Sequence, residues 1–244
     1  MPTPVNQNNT PDLSNIISAT KIAAKNLNNN GLIIFESTVY PGCTEEILIP
    51  IIKKLSKKKI NKDFFVGYSP ERIDPGLSKY KLNNQVKIIS GSNSKSLKIM
   101  KNIYSKIINK KLYETKDIKT AEAAKIIENT QRDINIALMN ELSIIFDKLN
   151  INFQSVLKAA NTKWNFINFK PGLVGGHCIG VDPYYLTYQS KKKGYNPKFI
   201  LSGRDINDNM PKYHLSLIKK KFSQNKITFV NSKILVLGLT FKEN

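Results

Sequence analysis

Apolar and polar positions along the chain fall into two regimes. In the first, short apolar runs alternate with segments of helical spacing. Leu13 to about Leu27 has the spacing of a helix, and Gly31 then opens the run Leu32-Ile33-Ile34-Phe35, which predicts a buried strand. The loop Glu36-Ser37-Thr38-Val39-Tyr40-Pro41-Gly42 leads into a helix whose first turn carries Glu45 and Glu46, suited to the positive end of the helix dipole. Phe64-Phe65-Val66-Gly67 predicts a second strand, running into Tyr68-Ser69-Pro70-Glu71-Arg72-Ile73-Asp74-Pro75-Gly76. Val86-Lys87-Ile88-Ile89-Ser90-Gly91 predicts a third, followed by a helix from about Ser94 to Ile108. Strands alternating with helices imply βαβ units and a mainly parallel sheet.

From Thr120 the pattern changes. Residues 120–149 contain no Gly or Pro, and Ala124, Ile127, Ile134, Leu138, Leu142 and Ile145 recur at helical spacing, so one long helix is expected. The segments up to about Lys221 also read as mostly helical. Lys233-Ile234-Leu235-Val236-Leu237-Gly238-Leu239-Thr240 then has the pattern of a fresh buried strand, just before Asn244. A strand that opens a domain in the last residues gives the chain the look of a fragment.

Composition narrows the classes. With 41% hydrophobic and 23% charged residues, the 244-residue chain can bury a substantial core. No apolar run approaches the roughly 20 residues of a membrane-spanning helix, and Met1-Pro2-Thr3-Pro4 lacks the layout of a signal peptide, which points to the cytoplasm and no membrane insertion. The net charge of +20 suggests nucleic acid, but only Arg72, Arg132 and Arg204 are arginines, and the lysines are dispersed among 28 Asn and 32 Ile. Phosphate and base recognition favours clustered Arg forks, so no nucleic-acid partner is expected. Two cysteines (Cys43, Cys178) and two histidines (His177, His214), unclustered, supply neither a disulfide framework nor a metal site.

Two constellations carry chemistry. The segment from Lys163 to Leu186 holds the only Trp, four of the twelve glycines, His177 and Cys178. Paired glycines before a cysteine let backbone approach a ligand closely and leave the thiol accessible; a glycine-rich connection with a buried cysteine is the plainer alternative. On the long helix, Lys125, Asn129 and Arg132 stand at i, i+4 and i+7 and share one face. That face is either a solvated stripe or a group able to transfer protons and stabilise an oxyanion.

Four ordered motifs resemble the UDP-glucose/GDP-mannose dehydrogenase family: Ser37-Thr38-Val39-Tyr40-Pro41-Gly42, Ser69-Pro70-Glu71-Arg72, residues 124–133 (AKIIENTQRD) and residues 175–186 (GGHCIGVDPYYL). Within it, Lys163-Trp164-Asn165-Phe166 and Pro171-Gly172-Leu173-Val174 are most similar to the branch acting on UDP-N-acetylglucosamine or UDP-N-acetylgalactosamine. The resemblance implies an α/β fold: a partial Rossmann-like parallel sheet, a mainly helical central domain and the first strand of a second Rossmann-like domain. Residues 1–118 would be the C-terminal part of the NAD-binding domain, residues 119–222 the central, dimerising domain with the catalytic cysteine, and residues 223–244 the start of a UDP-binding domain.

It also implies roles. Cys178 matches the nucleophile, Lys125 the lysine that stabilises oxyanions and moves protons, and Asn129 the amide beside it. Asp182 matches a carboxylate that helps activate water, and Glu71 the acid near the thioester. Arg72, Ile73, Arg132, Lys163 and Gly175 fall where the family contacts the nucleotide sugar, Phe241 and Lys242 at a further substrate-contacting pair, and Thr3 and Thr38 at positions touching NAD. The implied reaction is a two-step, four-electron oxidation of the carbon-6 alcohol to a uronate, through a thiohemiacetal and a thioester on cysteine, with two NAD consumed, in surface polysaccharide biosynthesis. A homodimer is the implied assembly. Two features depart from the pattern: there is no Gly-x-Gly-x-x-Gly turn to cradle a pyrophosphate, and Asp74-Pro75 stands where some relatives carry a second acid. The chain alone is therefore expected to be inactive. UDP-glucose or UDP-N-acetylmannosamine as substrate, or a non-catalytic oligomerisation fragment, are the alternatives.

Overall fold

The computed structural model describes residues 1–73, 82–176 and 178–237. They form two compact units, one of Met1–Asn129 with Val181–Asn196 and one of Thr130–Gly180 with Pro197–Asn244.

In the first unit the described residues give four strands in the order β1-β2-β3-β4: β1 Gly31–Phe35, β2 Phe64–Tyr68, β3 Lys87–Gly91 and β4 Leu112–Glu114. β1 and β2 pair in parallel from Gly31↔Phe64 to Phe35↔Tyr68, and β3 pairs in parallel with β4. β2 and β3 meet antiparallel only at Gly67↔Gly91 and Tyr68↔Ser90. Strand alternation sorts side chains onto two faces. Phe35, Phe64, Val66, Tyr68 and Ile88 join a core with Ile16 and Ala24 of α1 (Ser14–Lys25), Ile49 and Ile52 of α2 (Ile49–Ser56) and Tyr185 of α6 (Asp182–Lys192). On the other face Leu32, Ile34 and Ile89 pack with Met100 and Tyr104 of α3 (Ser94–Tyr104). Helices on both faces of a parallel-dominated sheet make this an α/β fold, as the hydrophobic pattern predicts.

Local sequence explains the element ends. Asn93 caps α3: its side chain accepts from Ser96 N while Ser96 Oγ accepts from Asn93 N. The chain enters α2 through a π-helical turn, Thr44–Leu48. Pro50, in the first turn of α2, has no N–H to donate back and its ring crowds the preceding turn, which fits that widening.

The second unit is helical. It takes the later part of α4 (Ile118–Lys148), with α5 (Phe153–Ala160) and α7 (Lys198–Gln224). α5 starts at Asn152, whose side chain accepts from Ser155 N. α7 passes close to α4 at Gly203, where a Cβ would lie 2.4 Å from Ile134 Cδ1.

Two expectations change. β4 was not foreseen, because Leu112-Tyr113-Glu114 is too short and too exposed to show a period. The strand expected over residues 233–240 is not present in its described part: residues 233–237 form no strand with any other described residue, and Leu235 and Leu237 are each 81% exposed. Apolar β propensity makes a strand only beside a partner edge, and the described residues offer none there. Residues 238–240 lie outside the described residues.

Gly91 ends β3 against the first turn of α3, where an added Cβ would meet Leu97 N at 2.6 Å and Asn93 O at 3.0 Å. Backbone cannot step aside as a side chain tip can. Gly91→Ala is expected to cost about 1–3 kcal/mol and to lower the melting midpoint by about 2–4 °C per kcal/mol. Thermal unfolding followed by circular dichroism checks this; an unchanged midpoint contradicts the packing.

Candidate active site

The carboxyl ends of β1 and β2 release two loops that are tied together. Ser69 N donates to Phe35 O (2.9 Å) and Glu71 N to Glu36 O (3.2 Å), while Tyr68 OH donates to Ser37 O (3.1 Å). Lys87, only 4% exposed, sits beneath them: its Nζ donates to Pro70 O (3.1 Å) and pairs with Glu36 Oε1 (3.1 Å), which also accepts from Tyr104 OH (2.6 Å). Thr3 and Thr38, separated by thirty-five positions, meet directly, with Thr3 Oγ1 donating to Thr38 O at 2.7 Å. Tyr185 OH fixes this corner by donating to Thr3 O (2.9 Å). The carboxyl ends of parallel strands are where open α/β sheets place ligands.

The N-terminal part of α4 supplies the charged groups. Glu122, fully buried, accepts from Gly42 N (2.5 Å) and Thr44 N (3.0 Å), so one carboxylate seats the turn after the Ser37–Gly42 loop on the helix. Burial pushes its pKa up to about 7, against the pull of those two donors. Seven positions further, Asn129 Nδ2 donates to Asp182 Oδ2 at 2.6 Å. Asp182, in the first turn of α6, is 2% exposed, and burial raises its pKa to about 6, opposed by the Asn129 hydrogen bond and the positive charge of Lys125. Lys125, Asn129 and Asp182 are thus one cluster with a carboxyl poised near neutrality. Such a group can hold or release a proton at working pH.

Arg72 is held by Glu128: Nη2 pairs with Oε1 at 2.6 Å, Nε donates to Oε2 at 3.1 Å, and Nη1 donates to Val86 O at 3.0 Å. A bidentate carboxylate fixes the guanidinium plane. Glu71, exposed, turns back to accept from Ile73 N, and Ile73 is itself exposed. In the second unit Cys178, Arg132, Lys163 and Gly175 are all exposed. Cys43, by contrast, is buried, with its thiol pushed up to about 12 chiefly by desolvation. Phe241, Lys242, Asp74, Pro75 and His177 lie outside the described residues. Sequence reasoning passed over Glu122, Glu128 and Lys87. Glu122 left a signal: a carboxylate set among Ala121, Ala123 and Ala124 on a helix face otherwise suited to burial.

The sequence profile of the UDP-glucose/GDP-mannose dehydrogenase family's NAD-binding domain matches residues 1–108, and that of its central domain residues 119–209. The chain belongs to the UDP-glucose/GDP-mannose dehydrogenase family. It is 52% identical, over all 244 residues, to the UDP-N-acetyl-D-glucosamine 6-dehydrogenase of Salmonella typhi, of which it covers 57%. It is 38% identical to the UDP-N-acetyl-D-mannosamine dehydrogenase of Methanococcus maripaludis strain C7, with 96% of this chain and 51% of that protein aligned. The solved UDP-D-ManNAc dehydrogenase of Pyrococcus horikoshii superposes with a TM-score of 0.84 at 31% identity, over 92% of this chain and 53% of that one. The chain therefore spans a little over half the length of the relatives it matches. Among the described residues no helix is long and apolar enough to cross a membrane.

Asp182 predicts a pH dependence. A carboxyl raised from 3.8 to about 6 on folding adds stability that is fully present below about pH 4 and is lost as pH rises through 6. Asp182→Asn keeps the shape without the charge. The stability of the native chain relative to this variant should fall by on the order of 2–3 kcal/mol between pH 4 and pH 7.5 in urea titrations. Parallel pH profiles for the two proteins contradict the assignment.

Proposed function

We propose that the chain carries catalytic residues of a nucleotide-sugar 6-dehydrogenase that oxidises the carbon-6 alcohol of a UDP-N-acetylhexosamine to the uronate, in the cytoplasm and for surface polysaccharide biosynthesis. The observation that carries this is the Lys125–Asn129–Asp182 cluster: three residues fixed in advance by motif, of which Asn129 and Asp182 share a 2.6 Å hydrogen bond and Lys125 bears electrostatically on the same buried carboxyl. The 52% identity to a UDP-N-acetyl-D-glucosamine 6-dehydrogenase, against 38% to a mannosamine enzyme, favours the glucosamine-type sugar. Residues 1–118, 119–222 and 223–244 serve as the NAD-binding portion, the central dimerising domain and the start of a UDP-binding domain, and the active assembly is a homodimer.

The residues fit the cofactor on one structural ground: Thr3 and Thr38 meet at the carboxyl ends of the parallel strands. NAD held there would supply the hydride acceptor for each oxidation at carbon 6. Cys178 supplies the nucleophile: its sulfur adds to the aldehyde carbon to give a thiohemiacetal, and after the second oxidation it holds the acyl group as a thioester. Lys125 stabilises the oxyanion that each addition creates. Asp182, held by Asn129, accepts a proton from the water that cleaves the thioester, and Glu71 assists there. Arg72, Ile73, Arg132, Lys163 and Gly175 contact the nucleotide sugar, together with Phe241 and Lys242.

The test is a chimera in which this chain replaces the matching segment of the Salmonella typhi relative. It should reduce two NAD per UDP-N-acetylglucosamine and prefer that sugar to UDP-N-acetylmannosamine and UDP-glucose. Cys178→Ser should abolish uronate formation, and sustained turnover by a folded Cys178→Ser protein would sink the assignment. Lys125→Ala should lower kcat by about 100-fold or more with little change in KM, because its partner charge develops only in the transition state. A tenfold rise in KM at unchanged kcat makes Lys125 a binding residue instead.

A further inference from the structure

The second unit contains a buried polar chain that the chemistry above does not use. Asp133 and Asn140 of α4 and Arg204 and Asn207 of α7 are each 3% exposed or less. Arg204 Nη1 donates to Asp133 Oδ1 at 2.6 Å, and its Nη2 pairs with Asp208. Asn207 Nδ2 donates to Asp133 O (3.0 Å) and Oδ1 (2.7 Å). That fixes which way the Asn207 amide faces, because both atoms it meets at Asp133 are acceptors. Its Oδ1 is left to accept from Asn140 Nδ2 at 2.8 Å. Asn140 is then oriented in turn, and it grips one residue outside the helices: Oδ1 accepts from Gly172 N (2.8 Å) and Nδ2 donates to Gly172 O (3.0 Å).

Gly172 begins the glycine-rich segment that reaches Cys178 six residues later. That segment has little apolar anchorage, with Leu173 65% exposed and Gly175, Gly176 and Cys178 exposed. A side-chain amide paired with both polar atoms of one peptide residue acts as a short piece of sheet and sets the strand's direction at that point.

We propose that Asn140 is a positioning residue for the cysteine segment: its amide clasps the backbone of Gly172, and the buried Arg204–Asp133–Asn207 chain dictates the orientation of that amide. Its bearing on catalysis rests on Cys178 being the nucleophile, as proposed above. A loop held at its root presents the thiol in a narrow range of places, and misplacement of a reacting group by about 1 Å can cost on the order of 100-fold in rate.

The test reads the loop and the thiol without turnover, in the 244-residue chain itself. Asn140→Leu matches the side chain in shape and removes both clasp atoms. Gly172→Pro removes the N–H from the loop side, at a position where an added Cβ meets nothing within 4 Å and without altering either helix. In both, backbone amides of residues 173–180 should exchange hydrogen at least about tenfold faster by mass spectrometry, while amides of α4 and α7 keep their native rates. Iodoacetamide labelling of Cys178, with Cys43 shielded by burial, should change rate by about threefold or more, because labelling follows how the thiol is held and exposed. Native exchange over residues 173–180 in folded protein overturns the clasp; should Asn140→Leu not fold, Gly172→Pro decides. Activity in the Cys178→Ser chimera would remove the nucleophile but leave these exchange rates untouched, so the two ideas fail separately.

Discussion

Polar groups taken out of water must find partners, and on α4 that requirement organises everything else. In the first unit Glu122 and Asn129, seven residues apart, share one side of the helix, and in the second unit Asp133 and Asn140, also seven apart, share one side of it. Each meets a different piece of chain. Glu122 takes the N–H groups of Gly42 and Thr44, Asn129 takes Asp182, Asp133 takes Arg204 and Asn207, and Asn140 takes Gly172. Leaving any one of these unpaired would cost about 1–3 kcal/mol, more for the carboxylates, so the helix dictates where loops without much apolar surface must lie.

The sheet provides the other fixed frame. Its hydrophobic faces need only pattern and volume, but its carboxyl ends are held by hydrogen bonds between loops, with Lys87 buried beneath Pro70 and beside Glu36. A buried lysine is tolerated because a carboxylate and a backbone carbonyl surround its ammonium. A direct hydrogen bond brings Thr3 to Thr38, and backbone bonds from Ser69 and Glu71 keep the Ser69–Arg72 strip next to the Glu36–Gly42 loop. Framework and candidate chemistry thus share residues, as expected where a ligand approaches backbone rather than a surface of side chains.

Much of this was legible in the amino acids, and the reasons differ by element. α1, α3 and α4 announced themselves by period, and β1 to β3 by apolar runs bounded by glycine and polar loops. β4 was too short to have a period, and the segment from residue 233 had strand propensity with no neighbouring edge among the described residues. At the site, helical spacing put Lys125 and Asn129 on one face. Which carboxylate Asn129 would meet required the fold, since Asp182 lies fifty-three positions away. Glu122, Lys87 and Asn140 were missed for a common reason: each acts on backbone atoms, and even where the pattern marks a residue, as the alanines around Glu122 do, it does not say which backbone atoms that residue will meet.

The central claim is that the nucleotide sugar passes through an acyl bond to Cys178. The most direct measurement is peptide mass analysis of the chimera, carrying Asp182→Asn to slow thioester cleavage and quenched in acid during turnover of UDP-N-acetylglucosamine with NAD. The peptide containing Cys178 should gain the mass of the uronyl nucleotide and lose it on hydroxylamine treatment. Turnover with an unmodified Cys178 at every quench time, or the same mass on another residue, would contradict the account.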